Sequence, residues 1–162
     1  MVQKQQKYDF LKSDMLVHDP DICSGCGICE LMCSLYHEGE VSPVLARGTL
    51  KRDPFEAEYH FSSCKQCLAP SCYVSCPFPD KAIKIDQKTG VKYIVDDVCT
   101  GCKKCIRACP FNPPEIKYNK EKKLAYKCDL CRGRQKGPIC VEYCPQGALS
   151  VSQAKRRKNK NG

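Results

Sequence analysis

Sixteen cysteines carry the chemistry of this 162-residue chain, and they fall into four groups of four with none left over. Cys23, Cys26, Cys29 and Cys33 are spaced C-x2-C-x2-C-x3-C, and Cys64, Cys67, Cys72 and Cys76 are spaced C-x2-C-x4-C-x3-C. Cys99, Cys102, Cys105 and Cys109 repeat the first spacing, while Cys128, Cys131, Cys140 and Cys144 read C-x2-C-x8-C-x3-C. Two-residue gaps let a tight loop offer successive thiolates to adjacent corners of one compact core. Three evenly spaced cysteines, a fourth further on and then proline form the ligand pattern of iron–sulfur clusters. Pro77, Pro110 and Pro145 follow the last cysteine of their groups, and Ser34 stands in that place in the first. Each last cysteine lies four residues after the third, about one helical turn along. It has left its own loop and can reach a second cluster, as the fourth cysteine does in two-cluster bacterial ferredoxins. The groups are therefore expected to work in pairs that exchange their final cysteines.

Other uses of the thiols fit less well. Structural zinc sites use paired C-x2-C knuckles, and three closely spaced thiols cannot all form local disulfides. His18, His37 and His60 could replace a cysteine ligand, but sixteen thiolates already satisfy four clusters. The histidines are expected at the surface or beside the ligands, with His37, next to Glu38 and Gly39, the best candidate for a loop that touches a partner. Gly25, Gly27 and Gly101 are expected to relax the backbone where it bends close to a cluster. Lys103, Lys104 and Arg107 read as a solvated helix face, the alternative being that their charge raises a neighbouring potential. Tyr73 and Tyr143 are expected to pack over the clusters.

The elements that hold these groups have little aliphatic material. Hydrophobic residues make up 42% of the chain, but that class counts every cysteine, leaving about 52 packing residues for the whole fold. Metal must do much of the structural work. The formal charge of +9 assumes neutral thiols, whereas metal-bound cysteines are thiolates. With four oxidised clusters the sum falls to about +1, so the basic excess argues for no nucleic-acid partner. No apolar run reaches the roughly 18 residues of a membrane helix. The first residues, Met1 to Lys7, show no apolar signal core and no twin arginine. A cytoplasmic location is expected, where thiols stay reduced.

In order and spacing, over about residues 15–152, the four groups resemble the four-cluster ferredoxin-type subunit of dimethyl sulfoxide reductase and formate dehydrogenase complexes. The chain is also similar to the small subunits that accompany tungsten aldehyde oxidoreductases and tungsten benzoyl-CoA reductase. The segment Cys33-Ser34-Leu35-Tyr36-His37-Glu38-Gly39, with Pro43 and Arg47 downstream, carries that narrower likeness. The resemblance implies four [4Fe–4S] clusters. One would be held by Cys23, Cys26, Cys29 and Cys144 (cluster A). A second would use Cys128, Cys131, Cys140 and Cys33 (cluster B). Cys64, Cys67, Cys72 and Cys109 would hold cluster C, and Cys99, Cys102, Cys105 and Cys76 cluster D. Some relatives lack the second cysteine of the third group and hold a three-iron cluster there; Cys102 is present.

Between the groups the chain reads as short hairpins. Ala82–Ile85 and Val91–Val95 flank a polar turn, Glu115–Tyr118 and Leu124–Lys127 flank another, and Ala148–Val151 adds a strand. The expected class is α+β, with two nested ferredoxin-like modules related by a pseudo-twofold axis. The outer module would combine 14–58 with 119–152, and the inner one would span 59–118. Residues 1–13 read as an N-terminal extension and 153–162 as a basic, disordered tail. There is no phosphate-binding loop, dinucleotide fingerprint or nucleophile motif. The chain reads as a non-catalytic electron-transfer subunit beside a tungsten- or molybdenum-containing catalytic subunit. A flavin- or NAD-linked or ferredoxin-type protein would serve as external donor or acceptor. A freely diffusing polyferredoxin is the alternative, as is a subunit of a molybdenum reductase, formate dehydrogenase or hydrogenase.

Overall fold

The computed structural model describes residues 12–152. Residues 1–11 of the expected N-terminal extension and the whole expected tail, 153–162, lie outside the described residues. The spacing of the cysteines translates directly into backbone. In each group the residue just before the second cysteine is left-handed: Gly25 (φ 68°), Gln66 (φ 50°), Gly101 (φ 66°) and Leu130 (φ 57°). Only two of those four are glycine, so the bend is imposed by the loop rather than by local preference.

After each bend a helix begins, and the third cysteine of every group is its second residue. The helices are α1 (Ile28–Glu38), α2 (Ser71–Val74), α3 (Lys104–Arg107) and α4 (Ile139–Glu142). The last three are single turns, so Cys76, Cys109 and Cys144 lie just past their ends. Helix α1 runs on between left-handed Gly27 and Gly39, whose N–H closes the last turn onto the Leu35 carbonyl at 3.0 Å. Cys33 therefore sits inside it. Helix α1 packs against α4, and α2 against α3, which brings groups one and four together and groups two and three together.

Four antiparallel ribbons join these units. Strand β1 (Met15–His18) pairs with β8 (Leu149–Ser152), and β2 (Thr49–Asp53) with β3 (Glu58–Ser62). Strand β4 (Ile83–Ile85) pairs with β5 (Lys92–Ile94), and β6 (Ile116–Asn119) with β7 (Leu124–Lys127). Three hairpins turn on the same device, a side-chain oxygen accepting the backbone N–H groups two and three residues on. Asp53 Oδ1 takes Phe55 and Glu56, Asp86 Oδ1 takes Lys88 and Thr89, and Asn119 Oδ1 takes Glu121 and Lys122, all within 3.3 Å. Two of these hairpins are the expected ones. The β2–β3 hairpin and strand β1 were not expected, since Lys51-Arg52-Asp53 and Glu58-Tyr59-His60 show no apolar alternation. Strand β3 runs across the expected module boundary at 58/59, and β6 across that at 118/119.

The apolar interior is small and threaded with sulfur. Seven of the 22 buried hydrophobic residues among those described are cysteines. One core gathers Leu16, Leu50, Phe61, Val91, Leu130 and Leu149 with Cys29, Cys64, Cys128 and Cys140. A smaller one gathers Ile83, Ile116 and Ala125 with Cys105. Polar ties complete the join: Lys117 Nζ donates to the carbonyls of Ala46 (2.6 Å) and Gly48 (2.8 Å).

Two outcomes follow from this construction. Complete iron removal from the anaerobic protein is expected to abolish most far-ultraviolet circular dichroism, because little apolar burial remains to offset chain entropy; a near-native apo spectrum would contradict this. At Gly101 an added Cβ would lie 2.0 Å from the Lys123 carbonyl oxygen, whereas at Gly133, also left-handed at φ 89°, it would meet nothing within 4 Å. Both alanine variants incur backbone strain of about 1–3 kcal/mol, and Gly101→Ala is expected to lose clearly more in denaturation of the metal-loaded protein. Equal losses would count against the tight loop–hairpin contact.

Candidate metal centres

Three cavities in the protein are lined by four cysteines each. The first, about 340 Å³ of empty space with open solvent included, holds Cys23, Cys26, Cys29 and Cys144 in its wall. The second, about 350 Å³, holds Cys76, Cys99, Cys102 and Cys105. The third, about 340 Å³, holds Cys64, Cys67, Cys72 and Cys109. In each, three cysteines come from one group and one from another, because the helical turn carries the last thiol out of its own loop. The remaining four, Cys33, Cys128, Cys131 and Cys140, are all buried. The charges of Cys33 and Cys140 act on Cys128, and those of Cys33 and Cys131 act on Cys140.

The four sets follow one another through the molecule. Cys29 of the first acts on Cys140, and Cys72 of the Cys64 set acts on Cys105. Between them, Gln66 Nε2 of the Cys64 loop donates to the Cys128 carbonyl at 2.8 Å. Cys26 and Cys102, in the two outermost sets, are the exposed cysteines.

The chemistry of the sulfurs fits a cationic metal core. Burial pushes the Cys29 thiol up to about 12 and those of Cys105 and Cys131 up to about 11; it also pushes Cys128 and Cys140 well up. Buried thiols in such surroundings stay neutral until a positive centre takes the proton's place. Amide donors already point at several sulfurs: Arg47 N–H at Cys33 (3.3 Å), Glu115 N–H at Cys109 (3.4 Å) and Ile139 N–H at Cys131 (3.5 Å). His18 lines the first cavity; its Nδ1 accepts the Phe61 N–H at 3.3 Å, and its buried Nε2 has no partner among the described residues. With Nδ1 accepting, Nε2 carries the proton and offers a donor suited to a sulfide. Among the described residues no three His, Cys, Asp or Glu side chains converge on a single ion. The thiols stand around volumes instead.

The other singled-out residues divide. His37 lies in the last turn of α1 with its side chain 9% exposed, facing Cys131 Sγ at 3.6 Å and Asp129 at 3.6 Å, so its ring points inward. Burial, with Arg47 adding to it, pushes its imidazole down to about 4. His60 is open to solvent beside Glu58. Lys103, Lys104 and Arg107 are exposed, with Lys103 Nζ 4.1 Å from the centre of the Tyr118 ring. Tyr73 packs against the smaller core, and Tyr143 is half-exposed. Gly25, Gly27 and Gly101 face the side chains of Tyr59 and Arg52 and the Lys123 carbonyl, so their smallness serves the neighbouring hairpins.

Of the four charged groups beside the sulfurs, only Arg47 stood out in the sequence, and only for the likeness it helps to carry. Glu30 is buried next to Cys29 and held by Arg52 at 3.0 Å and by the Leu50 N–H at 2.9 Å. Arg47 bridges Asp129 (3.4 Å) and the Lys127 carbonyl (3.3 Å). Lys92 and Lys127 are almost fully buried. Nothing in Val91-Lys92-Tyr93 or Tyr126-Lys127-Cys128 marks these lysines as interior, because in strands of three or four residues the inward face is set by partners distant in the chain.

Relatives place this arrangement. Residues 55–154 match the 4Fe-4S dicluster domain family. The chain is 33% identical over 167 residues to the hydrogenase-2 operon protein HybA of Escherichia coli O157:H7, covering 83% of this chain and 50% of that protein; it thus spans half the length of that relative. It is 38% identical over 125 residues to the polyferredoxin-like subunit of aliphatic sulfonate oxidoreductase from Pyrococcus furiosus, covering 77% of this chain and 68% of the relative. A chain in the active-site complex BamBC of benzoyl-coenzyme A reductase, solved with 1,5-dienoyl-CoA, superposes with a TM-score of 0.50 at 25% identity, over 92% of this chain and 83% of that one. With its cysteine groups gathered around shared cavities, the chain belongs to the 4Fe-4S dicluster domain family.

Proposed function

We propose that this chain is the electron-transfer subunit of an oxidoreductase complex and binds four [4Fe–4S] clusters. The ligand sets are Cys23, Cys26, Cys29 and Cys144 (A); Cys33, Cys128, Cys131 and Cys140 (B); Cys64, Cys67, Cys72 and Cys109 (C); and Cys76, Cys99, Cys102 and Cys105 (D). The observation that carries this reading is the lining of the three cavities, each drawing its fourth cysteine from a different group. Each cluster, when bound, accepts and returns one electron. The protein's own share is to supply thiolates, exclude water from the inner sites and hold neighbouring sites close enough for electrons to pass. Exposed Cys26 and Cys102 mark sets A and D as the entry and exit ends.

The nested arrangement, 14–58 with 119–152 around 59–118, is supported by the packing of α1 on α4 and α2 on α3. A dedicated catalytic mate is favoured over free diffusion by the relative that is itself a polyferredoxin-like subunit of an oxidoreductase. The likeness to a chain of a benzoyl-coenzyme A reductase complex, with the Cys33–Gly39 segment, favours a tungsten enzyme as that mate. Chemistry at substrate belongs to the mate, since all sixteen cysteines are assigned to clusters. Reduced thiols favour the cytoplasm; among the described residues no helix is long and apolar enough to cross a membrane.

Metal analysis of the anaerobically purified complex is expected to give about 16 iron atoms per copy of this chain beyond those of its mate, with tungsten alongside. About eight irons would remove two of the clusters. The Cys76→Ser variant is expected to damage the cluster of the third group (Cys99, Cys102, Cys105) and spare that of its own loop, as read by electron paramagnetic resonance. Loss of the second group's cluster instead would overturn the exchange.

A further inference from the structure

Lys127 occupies an unusual place for a lysine. It is 2% exposed and lines the cavity of Cys64, Cys67, Cys72 and Cys109. A buried charge must be paired, yet Lys127 makes no ion pair with a carboxylate among the described residues. The charge that can pair with it is that of the bound cluster, because an iron–sulfur core with its four thiolates is a net anion. Lys92, wholly buried with Nζ 3.4 Å from the Gln66 carbonyl, is pushed down to about 8 by burial and by the charge of Lys127, with Cys64, Cys67 and Cys72 acting against them.

The other three sites are charged differently. The Cys23 set has an anion beside it, since Glu30 acts on Cys29 and its mate Arg52 is half-exposed. At the Cys128 set, Arg47 and Lys117 both act on Cys33, but Arg47 is matched by Asp129 at 3.4 Å and Lys117 is acted on by Glu30 and Glu115. At the Cys99 set the nearest cation in the wall is the exposed Lys103, and Cys105 is acted on by other cysteines. Lys65 and Glu115 also line the Cys64 cavity and act on each other, leaving Lys127 as its unmatched buried charge.

A [4Fe–4S] core with four thiolates carries about −2 when oxidised and about −3 when reduced. A fixed positive charge in a low-dielectric interior therefore favours the reduced state. Resting on the four-cluster reading, we propose that Lys127 is a positioning charge that raises the reduction potential of the cluster bound by Cys64, Cys67, Cys72 and Cys109. That cluster becomes the place in the row where an electron rests. The reduction is a one-electron step, with the electron supplied by the neighbouring cluster and returned to the row.

The test is an anaerobic redox titration, followed by electron paramagnetic resonance, on the full metal-loaded chain with Lys127→Gln and Lys127→Arg. Iron analysis first establishes the cluster count, so a failure of the four-cluster reading is seen separately. Cys67→Ser identifies the signal of the second group's cluster whether or not the last cysteines exchange. Lys127→Gln is expected to move that signal alone to a lower potential, and Lys127→Arg to keep it near the native one. No shift at full iron content, or a shift in another signal, would overturn the proposal. So would failure of both Lys127→Gln and Lys127→Met to hold a cluster that Lys127→Arg holds, since Lys127 would then serve assembly and not potential.

Discussion

Thiol groups scattered over more than a hundred residues have to be brought, four at a time, around compact volumes, and nearly every feature of the backbone answers to that constraint. A loop of two residues places neighbouring sulfurs side by side only if it bends sharply. The left-handed residue before each second cysteine provides that bend at Gly25, Gln66, Gly101 and Leu130 alike. A helix then follows, with the third cysteine as its second residue and the fourth one turn further along the chain. Three of the four helices are single turns, while α1 runs on past its cysteines. The ribbons between them are short as well, and their turns rest on single side-chain acceptors at Asp53, Asp86 and Asn119.

This division of labour explains what could be read in advance. Cysteine spacing depends on local geometry, and turn residues act within a few positions of themselves, so the groups, two hairpins and the strand at Leu149 were legible. The β2–β3 hairpin was not, because Thr49–Asp53 and Glu58–Ser62 cover the first cysteine loop instead of forming a ribbon with one apolar face. Gln66 looks like an ordinary polar residue. In the structure its amide hydrogen-bonds both ways with Lys92 and also to the Cys128 carbonyl, and this holds the loop in its strained bend. The inward turn of His37 was equally hidden, since helix α1 presents it to Asp129 and Cys131, almost a hundred residues later.

The same economy shapes the electrostatics. With so little interior, charged side chains lie against the sulfurs, and each site acquires its own surroundings: Glu30 near Cys29, Arg47 with Asp129 near Cys33, Lys127 near Cys64. A row of chemically identical groups can thus be given unequal affinities for an electron by a few residues that never touch substrate. Charge and hydrogen bonds at the sulfurs are among the means by which proteins set such potentials. In this chain the candidates come from hairpins as well as cysteine loops, so the scaffold and the tuning are built from the same segments.

The central claim is that each cluster takes three cysteines from one group and its fourth from another. Diffraction from anaerobic crystals at the iron absorption edge tests it most directly, because iron positions are then seen independently of the chain tracing. The account predicts four iron centres, with Cys144 beside the one held by Cys23, Cys26 and Cys29, and Cys76 beside the one held by Cys99, Cys102 and Cys105. Iron surrounded by all four cysteines of a single group would contradict it.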